Sequence, residues 1–168
     1  MENKKVIQTQ SLKEQLLNAR KKSMSLFSDI AHRLESVSTK KGVEWINDSK
    51  ATDLDSAYYS LELMEKPIIW IVGSSENEQD YSVFNKLVKY KVKQIICFGN
   101  YETKIKYSFA NLVDSYAHKS TLDEAVALAS EWATNEDVVL FSPACSSFEF
   151  YEDFRARGNH FKELVNKL

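Results

Sequence analysis

Lys66-Pro67-Ile68-Ile69-Trp70-Ile71-Val72-Gly73-Ser74 decides how the rest of the chain reads. Its unbroken apolar run is what a strand buried on both faces needs, and such strands belong to parallel sheets covered by helices. Gly73 and Ser74 stop it. Gln94-Ile95-Ile96-Cys97-Phe98 is a second run of this kind, stopped by Gly99, and residues 137–141 form a third. Helical patterns alternate with them over residues 54–64, 81–90 and 102–109. Another runs over residues 121–133, where Thr121-Leu122-Asp123-Glu124 has capping-box spacing. A short strand is expected over 113–116. Upstream, residues 33–39 and 43–46 read as two strands joined by Lys40-Lys41-Gly42. Residues 11–31 carry a helical apolar stripe through Leu12, Leu16, Leu17, Met24 and Phe27. The last helix is expected to open near Ser147 and run to Leu168, with an interruption around Gly158. The alternation gives an α/β fold: an open, doubly wound, mostly parallel sheet that starts with a β-hairpin.

The 168 residues carry a net charge of −2. That length suits one domain, and the charge lacks the basic stripe of a nucleic-acid binder. The cluster Arg20-Lys21-Lys22 reads as a solvated helix face. Cys97 and Cys145 have no CxxC partner and read as reduced thiols of a cytoplasmic protein. No apolar stretch follows Met1-Glu2-Asn3-Lys4-Lys5 as in a signal peptide, and no run approaches a membrane span. Residues 1–10 read as a tail.

Chemistry-bearing residues gather where strands hand over to helices. Trp45-Ile46-Asn47-Asp48-Ser49-Lys50-Ala51-Thr52 ends an apolar strand in small polar groups and an ammonium. In α/β proteins that edge is where ligands bind, because strand ends converge and helix N-termini offer free N–H groups. Asp48 can accept from hydroxyls, Lys50 can neutralise an anion, and Thr52 can cap a helix or hold a carboxylate. The plainer reading is a capped turn with a surface lysine. Ser142-Pro143-Ala144-Cys145-Ser146-Ser147 stands in an equivalent place. Ser146 and Ser147 can offer hydroxyls to a carboxylate, or Ser147 can be an ordinary N-cap. Cys145 has no histidine placed to activate it, which argues against a nucleophile.

Three motifs occur in register: His32-Arg33-Leu34-Glu35, then residues 42–52, then Ser142-Pro143-Ala144-Cys145 leading to Phe154-Arg155-Ala156-Arg157-Gly158-Asn159-His160-Phe161. Together they closely resemble the C-terminal domain of the Mur ligases. The closest likeness is to the branch that adds D-glutamate to UDP-N-acetylmuramoyl-L-alanine in peptidoglycan synthesis. The resemblance covers residues 32–168 and implies a Rossmann-like fold with helices on both faces of the sheet. It makes residues 1–31 a tail and lead-in helix from a central domain and hinge. It places Lys50, Thr52, Ser147, Phe148 and Phe154 around the incoming amino acid. Arg33 and Asp48 fall on positions that meet the nucleotide when the domain closes, Arg33 toward phosphates and Asp48 toward the ribose. His32 falls in the motif but also suits a plain core or surface histidine. In intact family enzymes ATP, with Mg, phosphorylates the substrate carboxylate, and the amine of glutamate attacks the acyl phosphate.

The chain also departs from the family pattern. It has four glycines and no G-x-x-x-x-G-K-[ST], so the ATPase and UDP-sugar machinery must come from other domains, in cis or in trans. Alone it is expected to have no catalytic residues of its own, no metal and no turnover, and to bind no cofactor. Asn77 stands where the family has a lysine that helps bind glutamate, with Glu76 and Glu78 beside it. Asp53 replaces the usual Asn and Glu149 the usual Asp. The leading expectation is the amino-acid-docking domain of a D-glutamate ligase, with a D-glutamate-like amino acid and a nucleotide as partners and neither nucleic acid nor membrane. The alternative is a stand-alone, non-catalytic descendant that binds a nucleotide or small amino acid.

Overall fold

The computed structural model describes Gln15, residues 30–74, Glu76 and residues 80–168. Strands β1 (Glu35–Lys40) and β2 (Val43–Asn47) form the expected antiparallel hairpin. Its turn puts Lys41 at φ 51° and Gly42 at φ 79°, the paired left-handed conformation that suits a two-residue hairpin. A Cβ on Gly42 would also strike the Asn135 side chain.

Then follow α1 (Leu54–Leu63), β3 (Ile68–Gly73), a 3₁₀ turn (Ser82–Phe84) running into α2 (Asn85–Lys91), and β4 (Val92–Phe98). The chain continues with α3 (Thr103–Phe109), β5 (Ser115–Lys119), α4 (Leu122–Trp132), β6 (Val138–Phe141) and α5 (Phe154–Lys167). The capping box forms as its spacing requires: Thr121 Oγ1 accepts from Glu124 N–H at 3.2 Å, and Glu124 Oε2 accepts from Thr121 N–H at 3.2 Å.

The six strands lie in the order β1-β2-β6-β3-β4-β5, with every pair parallel except β1 with β2. Strands β3, β4 and β5 step outward, and the chain then returns through α4 to lay β6 on the other side of β3. That reversal leaves a crevice between the carboxyl ends of β3 and β6, where open α/β sheets bind ligands. Alternate strand residues feed two cores. Ile68, Trp70 and Val72 pack under α1, α2 and α3, with Leu61, Phe84, Val88 and Phe109. Ile69, Ile71 and Phe141 pack under α4 and α5, with Ala125, Phe161 and Val165. Helices therefore cover both faces, as the continuous apolar strands require.

Some expectations need correction. The last helix does not open near Ser147. Residues 142–153 form a loop, and Asp153 caps α5, its Oδ1 accepting from Ala156 N–H at 2.8 Å. Nor is α5 interrupted at Gly158, which sits in its middle because close packing leaves no room for a Cβ. The strand expected over 113–116 begins at Ser115 and runs to Lys119, because pairing with β4 from Gln94 to Phe98 sets its extent. Of the helix expected over 11–31, Gln15 is helical and residues 30–34 form turns and bends. The remainder lies outside the described residues.

Phe141 and Phe161 stack with ring centroids 4.6 Å apart, and both are fully buried. Phe161→Ala should cost about 3–5 kcal/mol of stability, against about 1 kcal/mol for Thr121→Ala at the cap, both read from urea unfolding curves.

Candidate functional site

Parallel pairing sets Asn47 at the end of β2 opposite Phe141 at the end of β6, and Phe141 opposite Ile71 in β3. The residues that follow therefore emerge side by side on one rim. Asp48 N–H bonds to Phe141 O, Ser142 N–H to Ile71 O, and Gly73 N–H to Pro143 O. Gly73 is needed here, because a Cβ would strike Cys145 Sγ.

The buried residues of this rim form a polar lattice. Asn47 Nδ2 lies 2.9 Å from His32 Nδ1 and 3.0 Å from Glu35 Oε2. An amide NH₂ can only donate, so His32 Nδ1 accepts and the ring is neutral, with its proton on Nε2. Burial, helped by the charge of Lys162, pushes the His32 pKa down and keeps it so. Burial alone would raise Glu35. The bond from His32 N–H and the Lys162 ammonium at 3.0 Å outweigh it and hold Glu35 below the usual carboxylate range. His32 is thus a core histidine, at φ 67° in the turn that leads into β1.

Asp48 is 2% exposed. Its Oδ2 accepts from Ser142 Oγ at 2.7 Å and its Oδ1 from Leu34 N–H at 3.2 Å. Burial raises its pKa to about 6, although its hydrogen bonds and the nearby charge of Arg33 pull the other way. Arg157 is 1% exposed. It gives Nε to Ser49 Oγ at 3.0 Å and Nη2 to Ser49 O at 2.9 Å. Its Nη1 goes to Cys145 O at 3.0 Å and Ser146 O at 3.1 Å.

The exposed groups stand around this lattice. Lys50 is exposed, its Nζ 5.8 Å from the Phe154 ring centroid, and the Arg155 guanidinium lies 4.7 Å from the same centroid. Phe154 is half-buried and meets His32 edge-on at 6.3 Å. Thr52 is exposed and leaves the capping of α1 to Asp53, whose Oδ1 accepts from Ser56 N–H at 2.8 Å. Arg33 is half-buried close to Asp48. Ser147 is buried. It lines the cleft between β3 and β6 with Gly73, Ser74, Cys145, Tyr151 and Arg157. Phe148 is 77% exposed and does not line that cleft. Lys50 stands over the Phe154 ring, and the charge of Arg33 lies near enough to pull the Asp48 pKa down. Ser147 has no hydrogen bond to Lys50 or Thr52 among the described residues. Asn77 and Glu78 lie outside the described residues, and Glu76 is exposed.

Residues 32–145 match the family described as Mur ligase, glutamate ligase domain. The chain belongs to the Mur ligase family. Over 170 residues it is 41% identical to a UDP-N-acetylmuramoylalanine--D-glutamate ligase of Christiangramia forsetii, covering 99% of this chain and 38% of that protein. The ligase of the same name from Cytophaga hutchinsonii is 38% identical over 146 residues, 87% of this chain and 32% of the relative. The chain thus spans about a third of the length of these relatives. Among solved structures, the MurC ligase of Thermotoga maritima has a TM-score of 0.55 at 17% identity, over 87% of this chain and 32% of that one. A folylpolyglutamate synthase/dihydrofolate synthase of Yersinia pestis, solved with Mn, AMPPNP and L-glutamate, has a TM-score of 0.53 at 16% identity, over 82% and 32%. Both are likenesses of fold.

In this Mur ligase domain, reasoning from sequence gave no role to Arg157, Ser49 or Asn47. The available signal was that all three lie inside the motifs, Asn47 and Ser49 within residues 42–52 and Arg157 beside Gly158. Asp48 gives a test by pH. A rise from 3.8 to about 6 is on the order of 3 kcal/mol. The native state holds this proton between those values while the unfolded chain has lost it, so this group's contribution to stability falls as pH rises through the window. Asp48→Asn should therefore raise Tm at pH 7.5, with the gain shrinking toward pH 4. Parallel melting curves for the two proteins would show no converging gap if Asp48 ionised normally.

Proposed function

We propose that residues 32–168 are the C-terminal, amino-acid-docking domain of a ligase that adds D-glutamate to UDP-N-acetylmuramoyl-L-alanine, with residues 1–31 leading in from a central domain. The observation that carries this reading is the 41% identity to such a ligase along 99% of the chain. The rim supports it, since Lys50 and Thr52 follow the carboxyl end of β2 and Ser147 follows that of β6.

Lys50, Thr52, Ser147, Phe148 and Phe154 are the groups we assign to the amino acid. Lys50 supplies charge for a carboxylate, Thr52 and Ser147 supply hydroxyls, and the rings cover the aliphatic stem. Arg33 and Asp48 are assigned to the nucleotide. An arginine suits a transferring phosphoryl group because its planar fork offers several charge-assisted donors. Asp48 accepts from Ser142 and Leu34, so contact with a ribose requires this lattice to open on that side. The domain's work is positioning and charge stabilisation while the amine attacks an acyl phosphate and phosphate departs.

No group of three His, Cys, Asp or Glu side chains could hold a metal among the described residues. We assign the family's Mg to the central domain, outside residues 32–168. No helix among the described residues is long and apolar enough to cross a membrane. A cytoplasmic setting belongs to the same reading. A second reading, a non-catalytic descendant that keeps an amino-acid or nucleotide pocket, draws on Asn77 in the place of a lysine.

Two measurements test the docking reading. D-Glutamate titrated into ¹⁵N-labelled protein should shift the amides of Lys50, Thr52 and Ser147, and Lys50→Ala should weaken binding at least tenfold. A charged hydrogen bond is worth roughly 1.5–3 kcal/mol, so Asn77→Lys should tighten binding about tenfold or more. Shifts confined to other faces would end the docking assignment. The chain alone, given ATP, Mg²⁺, UDP-N-acetylmuramoyl-L-alanine and D-glutamate, should release no phosphate above background. Steady turnover would overturn the division of labour.

A further inference from the structure

Arg157 is a buried cation whose hydrogen bonds, among the described residues, go to no carboxylate. Three carbonyls, one hydroxyl and, at 3.8 Å, the Cys145 sulfur receive its guanidinium. Burial lowers its pKa, as expected for a charge taken out of water. Holding an arginine there is expensive, and a hydrophobic residue of similar volume is often as good for stability alone. What a hydrophobic residue cannot do is fix two loops at a set angle. The guanidinium is planar, with donors in a rigid fork. One side of the fork takes the carbonyl and hydroxyl of Ser49, and the other takes the carbonyls of Cys145 and Ser146.

Each loop carries a predicted ligand group on the very next residue. Lys50 follows Ser49, and Ser147 follows Ser146. Ser49 Oγ also donates to Phe154 O at 2.8 Å, which ties in the residue whose ring Lys50 faces. Gly158 closes the arrangement from the helix side. A Cβ there would strike His32 Nδ1 and stand 3.0 Å from Ser49 Cβ, so α5 and the Ser49 loop touch backbone to side chain.

We propose that Arg157 is a positioning residue that locks the Lys50 loop, the Ser147 loop and the start of α5 into one rigid cradle. It does not touch the ligand; it sets the spacing between groups that do. The proposal rests on the docking reading for its functional consequence, and on the hydrogen bonds alone for the mechanical one.

The test uses Arg157→Lys, which keeps the charge but loses the fork and can reach the carbonyls of one loop at a time. Ile95→Val, in the opposite core, serves as a destabilised control. Both are studied well below their melting temperatures, with ¹⁵N relaxation of residues 48–52 and 145–148 and a D-glutamate titration. In Arg157→Lys both segments should gain mobility together and affinity for D-glutamate should fall at least fivefold. Ile95→Val should change neither. Wild-type relaxation in either segment of a folded Arg157→Lys protein would overturn the clamp. So would loosened segments with unchanged affinity, since spacing would then not matter. If the wild-type protein binds no D-glutamate, the docking reading fails. The relaxation data still decide the clamp in that case. Should Arg157→Lys fail to fold, Ser49→Ala, which removes one of the two bonds on that side of the fork and the tie to Phe154 O, must loosen residues 48–52 where Ile95→Val does not, or the proposal falls.

Discussion

The short strand β6 holds this molecule's functional edge together. Four residues, Val138 to Phe141, pair in parallel with β2 on one side and β3 on the other. Parallel pairing aligns strand ends, so whatever follows Asn47, Ile71 and Phe141 must emerge along one rim. Without β6 the motif after β2 and the crevice beside β3 would belong to separate surfaces. The backbone bonds from Asp48 to Phe141, from Ser142 to Ile71 and from Gly73 to Pro143 extend that alignment past the last strand residues.

From that alignment comes a division of labour between buried and exposed polar groups. Asn47, Asp48, Ser49, Ser142 and Arg157 are all buried, yet the structure gives each a hydrogen-bond partner. Buried polar groups are tolerable only on that condition, and when met it specifies one arrangement. Lys50, Thr52 and Phe148 stand outside this lattice, exposed to solvent. In the motif Asn47-Asp48-Ser49-Lys50-Ala51-Thr52, then, the first three residues build the shelf, and Lys50 and Thr52 stand on it.

Much of the fold was legible in the order of residues. The apolar runs at residues 68–72 and 95–98 read as strands covered on both faces, and the cores beneath α1–α3 and α4–α5 show that covering. The Thr121 capping box and the Lys41-Gly42 turn are local chemistry, complete within a few residues. What failed locally was whatever depended on a distant neighbour. Ser147 looks like a helix cap by composition, but the loop from 142 to 153 is held open by Arg157 and by packing against Gly73, and the helix waits for Asp153. Gly158 looks like a helix breaker because isolated glycine weakens helices. Here it is required by His32 and Ser49, which lie more than a hundred residues earlier in the chain.

The sequence by itself determined the class of fold, the hairpin at its start and which polar and charged groups are candidates for the site, since periodicity, turn chemistry and side-chain charge are properties of short stretches. Only the tertiary structure decided which polar residues stay exposed at the rim and which are consumed within. Asp48 turned inward to Ser142, His32 became a neutral core residue, and Arg157 emerged as the tie between two loops. Burial sets those outcomes, because it removes water as the competing partner and forces each buried donor and acceptor to find another within the fold.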